Sequence, residues 1–284
     1  MEKSLHSESQ TGGGLPKDRL SKLAELPSLP TLVMAALQQI NEHQNTTALA
    51  EKIAQDPPLV AKILRIANSS FYGRPREVGS IKDAIVLLGL NRVRELLLSV
   101  CFSNLLPILH KNFDPTVYWQ HSMAVAECSR QMANQCGVLP EFAFTAGLLH
   151  DIGRLIIAFL FPETVIDITS DPSRSVIELE RAILGFDHLE IGAQAAKKWN
   201  LPLEIQQVIE QHETPPTKAS TKSLSLLVYA ANFLMLENEQ LEEVFETPHE
   251  SIDLALTLLE IPKDMTSAWV KNARQCADQM IAVL

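Results

Sequence analysis

The 284-residue chain carries 24 Lys and Arg against 34 Asp and Glu, a formal net charge of −10, with no basic run longer than Lys197-Lys198. Binding duplex DNA needs clustered cations that displace counterions, so direct DNA binding is not expected. Hydrophobic residues make up 46% of the composition, enough for one large core or two modest ones, and the 11 glycines are few, which favours helices.

Residues 1 to about 16 are rich in polar residues and contain Gly12-Gly13-Gly14, a composition that buries little and predicts a mobile tail. A short helical pattern, Asp18 to Leu26, runs into Leu26-Pro27-Ser28-Leu29-Pro30, an extended stretch stiffened by two prolines. Helices follow over Thr31–His43 and Thr47–Gln55. Asp56 then caps a helix with Pro57 and Pro58 in its first turn, where a missing N–H costs least. That helix runs through Asn68, and Asn68, Ser69 and Ser70 read as the residues that cap it and shape its turn. Ser80 and Asp83 have capping-box spacing ahead of Ala84-Ile85-Val86-Leu87-Leu88, Gly89 ends that helix, and Asn91 starts another reaching about Leu106.

Asp114-Pro115 repeats the cap-then-proline start and opens a long helix to Gln135, with Gly137 as its stop. On it Val117, His121, Val125, Cys128 and Met132 form one apolar stripe by spacing. Pro140 opens the helix that ends at His150-Asp151, and Ile152–Phe161 forms another. Further helices read over Ser173–Leu184, Asp187–Trp199, Pro202–Gln211, Ser223–Glu237, Glu250–Leu259 and Lys263–Leu284. No stretch alternates with period two for long enough to make a strand. The fold class is all-α, divided into a tail (1–16), an N-terminal helical lobe (17–112) and a second lobe (113–284) that bears the candidate ligands.

Cys101, Cys128, Cys136 and Cys276 show no C-x-x-C spacing and read as thiols in a reducing compartment. The N-terminus has no apolar run of the secretory kind. The longest nearly apolar stretch found, Leu224 to Leu236, is too short to span a bilayer. A cytoplasmic location without membrane contact is the expectation.

The chemistry centres on Ala146-Gly147-Leu148-Leu149-His150-Asp151-Ile152-Gly153-Arg154. Neighbouring helical residues point about 100° apart, so His150 and Asp151 can converge on one point only where the helix ends. Imidazole and carboxylate together suit a divalent first-row metal. His121, His188 and His212 also sit in or at the ends of helices that read as core, and a helical bundle can project such side chains into one cavity. Asn232 interrupts an apolar run, so a polar group should lie opposite it. Arg65, Arg74 and Arg76 are weaker candidates for an anion, and the acidic run Glu237 to Glu246 reads as solvated surface or as a docking face for a basic partner.

The segment around His150-Asp151 resembles the signature of the HD superfamily of metal-dependent phosphohydrolases. Other blocks more specifically resemble the HDOD domain, a bacterial signalling module related to the HD fold. They are Leu26-Pro27-Ser28-Leu29-Pro30, Asp56 to Ser70, Ala84 to Gly89, Trp119-Gln120-His121-Ser122, Glu180-Arg181, Leu184 to Ala193, and Trp199-Asn200-Leu201-Pro202. The resemblance implies a two-lobe HDOD architecture with an HD-like C-terminal lobe. It also implies metal ligands at His121, His150 and Asp151, with Asn232 standing where the HD pattern has a final Asp. His188 and His212 resemble further ligands of the related HD-GYP phosphodiesterases. The chain departs from that pattern at Arg154, at Gln211-His212-Glu213, and in having no G-Y-P motif.

Two functions compete. One is a bacterial signal-transduction protein that acts by binding a partner or ligand, with a vestigial or structural site for Fe, Mn, Zn or Ni and no catalytic residue. Its partners would be other signalling proteins, with a nucleotide or phosphate as a candidate ligand. The other is a metal-dependent phosphohydrolase. The missing carboxylate at Asn232 favours the first.

Overall fold

The computed structural model describes residues 21–38, 46–72, 78–106, 113–164, 174–237 and 249–282. Among them all regular structure is helical. The predicted tail, Arg74, Arg76 and most of the acidic run lie outside the described residues. The first pattern folds as a 3-10 turn, Ser21–Glu25, because the prolines that follow leave no room for an α-helix to extend. Then come α1 (Thr31–Gln38), α2 (Thr46–Ala54), α3 (Pro57–Ala67), α4 (Ile81–Leu88) and α5 (Leu90–Ser103). The second half holds α6 (Pro115–Cys136), α7 (Pro140–Leu149), α8 (Ile152–Leu160), α9 (Val176–Leu184), α10 (His188–Lys198), α11 (Leu203–Gln211), α12 (Leu224–Glu237), α13 (His249–Leu258) and α14 (Lys263–Ile281).

The helix starts follow from local chemistry. Asp56 Oδ1 accepts from the Leu59 N–H at 3.1 Å, and Ser80 Oγ accepts from that of Asp83 at 3.0 Å. Gly137 closes α6 at φ 68°, a conformation that L side chains rarely adopt. Asn68 ends α3, and its amide also clamps a distant segment, donating to Val78 O at 3.0 Å and accepting from Val78 N at 2.7 Å. Arg65 is exposed on α3.

Helices α1, α3 and α4 pack on α5, while α7, α12 and α14 pack on α6, and α5 meets α7 between the two groups. One buried apolar cluster runs through both. Of the stripe read along α6, Val125, Cys128 and Met132 are fully buried, but Val117 is 61% exposed because the first turn borders a groove rather than the core. The stretch Pro140–Leu160, longer than Leu224–Leu236, is long and apolar enough to cross a membrane by length and composition, but 89% of its 18-residue apolar window is buried within the protein, in the core helices α7 and α8. The Leu26–Pro30 stretch lies against the end of α10. There the Trp199 indole N–H donates to Pro27 O at 2.9 Å and Lys198 Nζ to Leu26 O at 3.2 Å.

A buried ion network joins α5 to α6. Arg92 Nη1 lies 3.1 Å from Glu127 Oε2 and Nη2 is 3.1 Å from the Tyr72 hydroxyl, while Arg92 also pairs with Glu95 and Arg130 with Glu127. Burial pushes the Glu95 carboxyl up to about 7, with Arg92 opposing it only in part. At Glu127 burial acts the same way, but Arg130 and Arg92 outweigh it and lower the value.

In the second half, two helix backbones approach closely at Gly153 on α8. A Cβ there would stand 1.8 Å from the His188 carbonyl oxygen, and Gly192 of α10 lies directly against Gly153. Two side-chain-free positions thus let α8 and α10 touch.

Two outcomes follow. Gly153→Ala forces the α8 and α10 backbones apart and should cost about 3 kcal/mol or more in chemical denaturation. Gly79→Ala, whose Cβ meets nothing closer than 3.9 Å, serves as the near-neutral control. For Glu95, the folded value of about 7 exceeds the ordinary 4.5, so the folded state keeps a proton that the unfolded chain has released. Its effect on stability is absent below 4.5 and grows unfavourable as pH rises to 7. Glu95→Gln should therefore match the parent at pH near 4.5 and gain up to about 3 kcal/mol relative to it by pH 8. An unchanged difference across that range would contradict the assignment.

Candidate metal centre

Three chain segments deliver the site. Asp151 sits at the break between α7 and α8, where it makes no side-chain cap bond to α8. Its Oδ2 lies 3.1 Å from Arg154 Nε, and its Oδ1 is buried with no hydrogen-bond partner. His188 is the first residue of α10, placed there by the Asp187–Glu190 capping box. Its Nδ1 is 2.6 Å from Glu180 Oε2, which also accepts the His188 backbone N–H at 2.8 Å. His212 ends α11, its Nδ1 3.1 Å from Ile209 O.

Both rings are oriented through Nδ1, so Nε2 of each is left pointing inward. His188 Nε2 lies 3.7 Å from Asp151 Oδ1 and His212 Nε2 lies 3.9 Å from it. All three ligand atoms fall within 4.8 Å of one another, and none has a hydrogen-bond partner among the described residues. Three buried polar atoms aimed at one point without hydrogen bonds are costly unless something fills the point. Two imidazoles and a carboxylate fit a divalent first-row metal.

The other predicted ligands lie beside this point. The His150 ring packs edge-on against His212 with centroids 4.8 Å apart, and its Nδ1 is 2.7 Å from Gly147 O. His121 is one step further out, 5.6 Å from the His150 centroid, with Nε2 2.9 Å from Asn232 Oδ1. The polar partner expected opposite Asn232 is thus His121. The five predicted residues form a connected chain of side chains, with Asp151, His188 and His212 sharing the point.

The sequence reading assigned no role to three residues that the fold brings in. Glu180 orients His188. Glu213 Oε1 lies 3.3 Å from His188 Nε2, 4.0 Å from His212 Nε2 and 3.1 Å from Arg154 Nη2. Tyr118, on α6, has a buried hydroxyl whose pKa is raised by burial and then by the Asp151 carboxylate. Adjacency to His212 was a usable signal for Glu213, and for Glu180 the signal was the Glu180-Arg181 block of the family resemblance.

The electrostatics split the three rings. Burial, then the His212 and His121 rings, hold His150 neutral, and burial lowers His212 as well. Burial alone would do the same to His188, but the Glu213 and Glu180 carboxylates reverse it and raise the ring to about 10. Burial would also raise Glu213, yet His188 and Arg154 draw its carboxyl well below the usual range. In the bare site His188 is therefore a cation facing carboxylates, and a metal there would replace its Nε2 proton.

Comparison with known proteins places the fold and the family. The chain is 26% identical over 245 residues to an uncharacterized protein of Treponema pallidum, covering 84% of this chain and 46% of that one. It therefore spans less than half the length of that curated relative. A crystal structure from Shewanella amazonensis, of a protein named "Putative phosphohydrolase", superposes with a TM-score of 0.74 at 27% identity, covering 95% of this chain and 100% of the other. An HDOD domain protein of unknown function from Geobacter sulfurreducens shares the fold, with a TM-score of 0.78 at 23% identity over 93% of this chain and 98% of its own. The HDOD domain family model matches residues 26–215, from the Leu-Pro stretch to just past Glu213. By that match this all-helical chain belongs to the HDOD domain family.

Proposed function

We propose that this protein is a bacterial signalling HDOD module that works by binding rather than by turnover, with a divalent metal held by Asp151, His188 and His212. On this reading residues 17–112 form the N-terminal lobe and 113–284 the HD-like lobe. Four free cysteines suit a reducing cytoplasm. Its partners are other signalling proteins, and a nucleotide or phosphate is the candidate small ligand.

The observation that carries the reading is the 2.9 Å contact between His121 Nε2 and Asn232 Oδ1. A carboxylate at Asn232 would bring negative charge to the centre, and an amide brings only a dipole. The contact engages the Nε2 of His121 with that amide, so the two outer groups of the HD pattern satisfy each other. Arg154 bridges Asp151 and Glu213, which places one positive charge between the two carboxylates. A bound divalent ion would supply a fixed positive charge and Lewis acidity next to Arg154. The residues around it would orient a phosphate or carboxylate group brought by a partner.

One feature favours hydrolysis instead. Glu213 places a second carboxylate within 4.0 Å of both His188 Nε2 and His212 Nε2, and such a group can accept a proton from an attacking water. A metal assay separates the readings. Divalent metal should co-purify with the full chain and be lost in Asp151→Ala, while hydrolysis of a chromogenic nitrophenyl phosphodiester with added manganese stays at background. Manganese-dependent turnover that disappears in Asp151→Ala would overturn the binding reading.

Glu180→Gln tests the orientation of His188. Removing the carboxylate that fixes the ring should weaken metal retention about 10- to 100-fold in a chelator competition. Retention equal to the parent would mean that Glu180 only supports the fold.

A further inference from the structure

A groove of about 320 Å³ runs between α6 and α14, away from the Asp151–His188–His212 point. Its polar lining is Gln120, His121, Arg274 and Asp278, and its apolar lining is Val117, Ala124 and Ala277. Helix α14 lies wholly beyond residue 215, where the family match ends. The Shewanella amazonensis structure covers 95% of this chain, so this wall of the groove is shared beyond the bounds of the family model. The space is near the lower end of the range for small-molecule sites.

We infer that this groove binds a free α-amino acid with an apolar side chain. Arg274 is anchored by Nη2, which donates to Met235 O at the end of α12 at 3.1 Å. Its side chain lines the groove. Asp278 sits one helical turn further along α14, steadied by Gln120 Nε2 on its Oδ1 at 2.6 Å. The groove thus presents a cation and an anion on one helix face, the first tied to the end of α12 and the second to α6.

The charges select the ligand class. A simple anion drawn to Arg274 is repelled by Asp278, and a simple cation suffers the reverse. A zwitterion satisfies both. Residues four apart lie on the same face of a helix, and a carboxylate and an ammonium on one carbon can each make charge-assisted hydrogen bonds of about 2.8 Å to such a pair. The apolar lining is left for the side chain, and Val117, 61% exposed at the rim, is the surface such a side chain would cover. His121 links the groove to the ring chain of the metal centre, 5.6 Å from His150.

Isothermal titration calorimetry on the full chain tests the assignment with L-leucine and L-phenylalanine as probes. Two leucine analogues accompany them: isoamylamine, which lacks the carboxylate, and isocaproate, which lacks the ammonium. At least one amino acid should bind, and each analogue should bind about tenfold more weakly or worse than leucine if leucine is the one bound. Arg274→Gln and Asp278→Asn should each weaken binding by a similar factor while circular dichroism and metal content stay at parent levels. Unchanged metal content keeps a failure here distinct from a failure of the metal reading. No binding of either amino acid at millimolar concentration would overturn the inference. So would binding that survives both substitutions, or inorganic phosphate binding in the groove with the amino acids inert.

Discussion

The contact between the backbones of α8 and α10 at Gly153 is the constraint on which the rest of the centre depends. Asp151 precedes Gly153 by two residues, and His188 is the residue whose carbonyl a Cβ at Gly153 would strike. With no side chain between them, the start of α8 and the start of α10 come together, and the carboxylate and imidazole meet across the seam. The third group, His212, arrives from the end of α11, which packs on α10. The glycine two positions after the His-Asp pair is thus a packing requirement with a chemical consequence.

Bringing these groups together buries charge, and the fold compensates locally. Arg154 is half-buried, and Asp151 and Glu213 hold it charged against that burial. His188 is charged between Glu213 and Glu180. Removing one member of such a set leaves its partners buried and uncompensated, which costs more than the pairs contribute when intact. The cluster is therefore a poor source of stability and a specific shape for a ligand. The Arg92–Glu95–Glu127–Arg130 network between α5 and α6 is a second buried charge set, and there burial rather than pairing controls Glu95.

Asn232 links the centre to the groove. By engaging His121 it withdraws that ring from the inner point and leaves it between the two sites, against His150 on one side and the groove on the other. An amide at this position adds no charge to the centre and holds a histidine that also faces the groove.

The sequence by itself determined the all-helical architecture, because its signals are local: Asp56, Ser80, Asp114 and Asp187 start helices within a turn of where they stand, and Gly137 and Gly89 end them. It also named the five candidate residues of the centre, since a histidine in an apolar helical run stands out where it is. Only the tertiary structure decided which of them share a point. Asn232 reaches His121 across 111 residues and Gln120 reaches Asp278 across 158. Glu180 meets His188 through the turn at Gly185-Phe186, which no periodicity announces. Capping and periodicity act over a few residues and leave a trace in spacing, whereas the meeting of side chains from separate helices depends on how those helices pack, which no local pattern records.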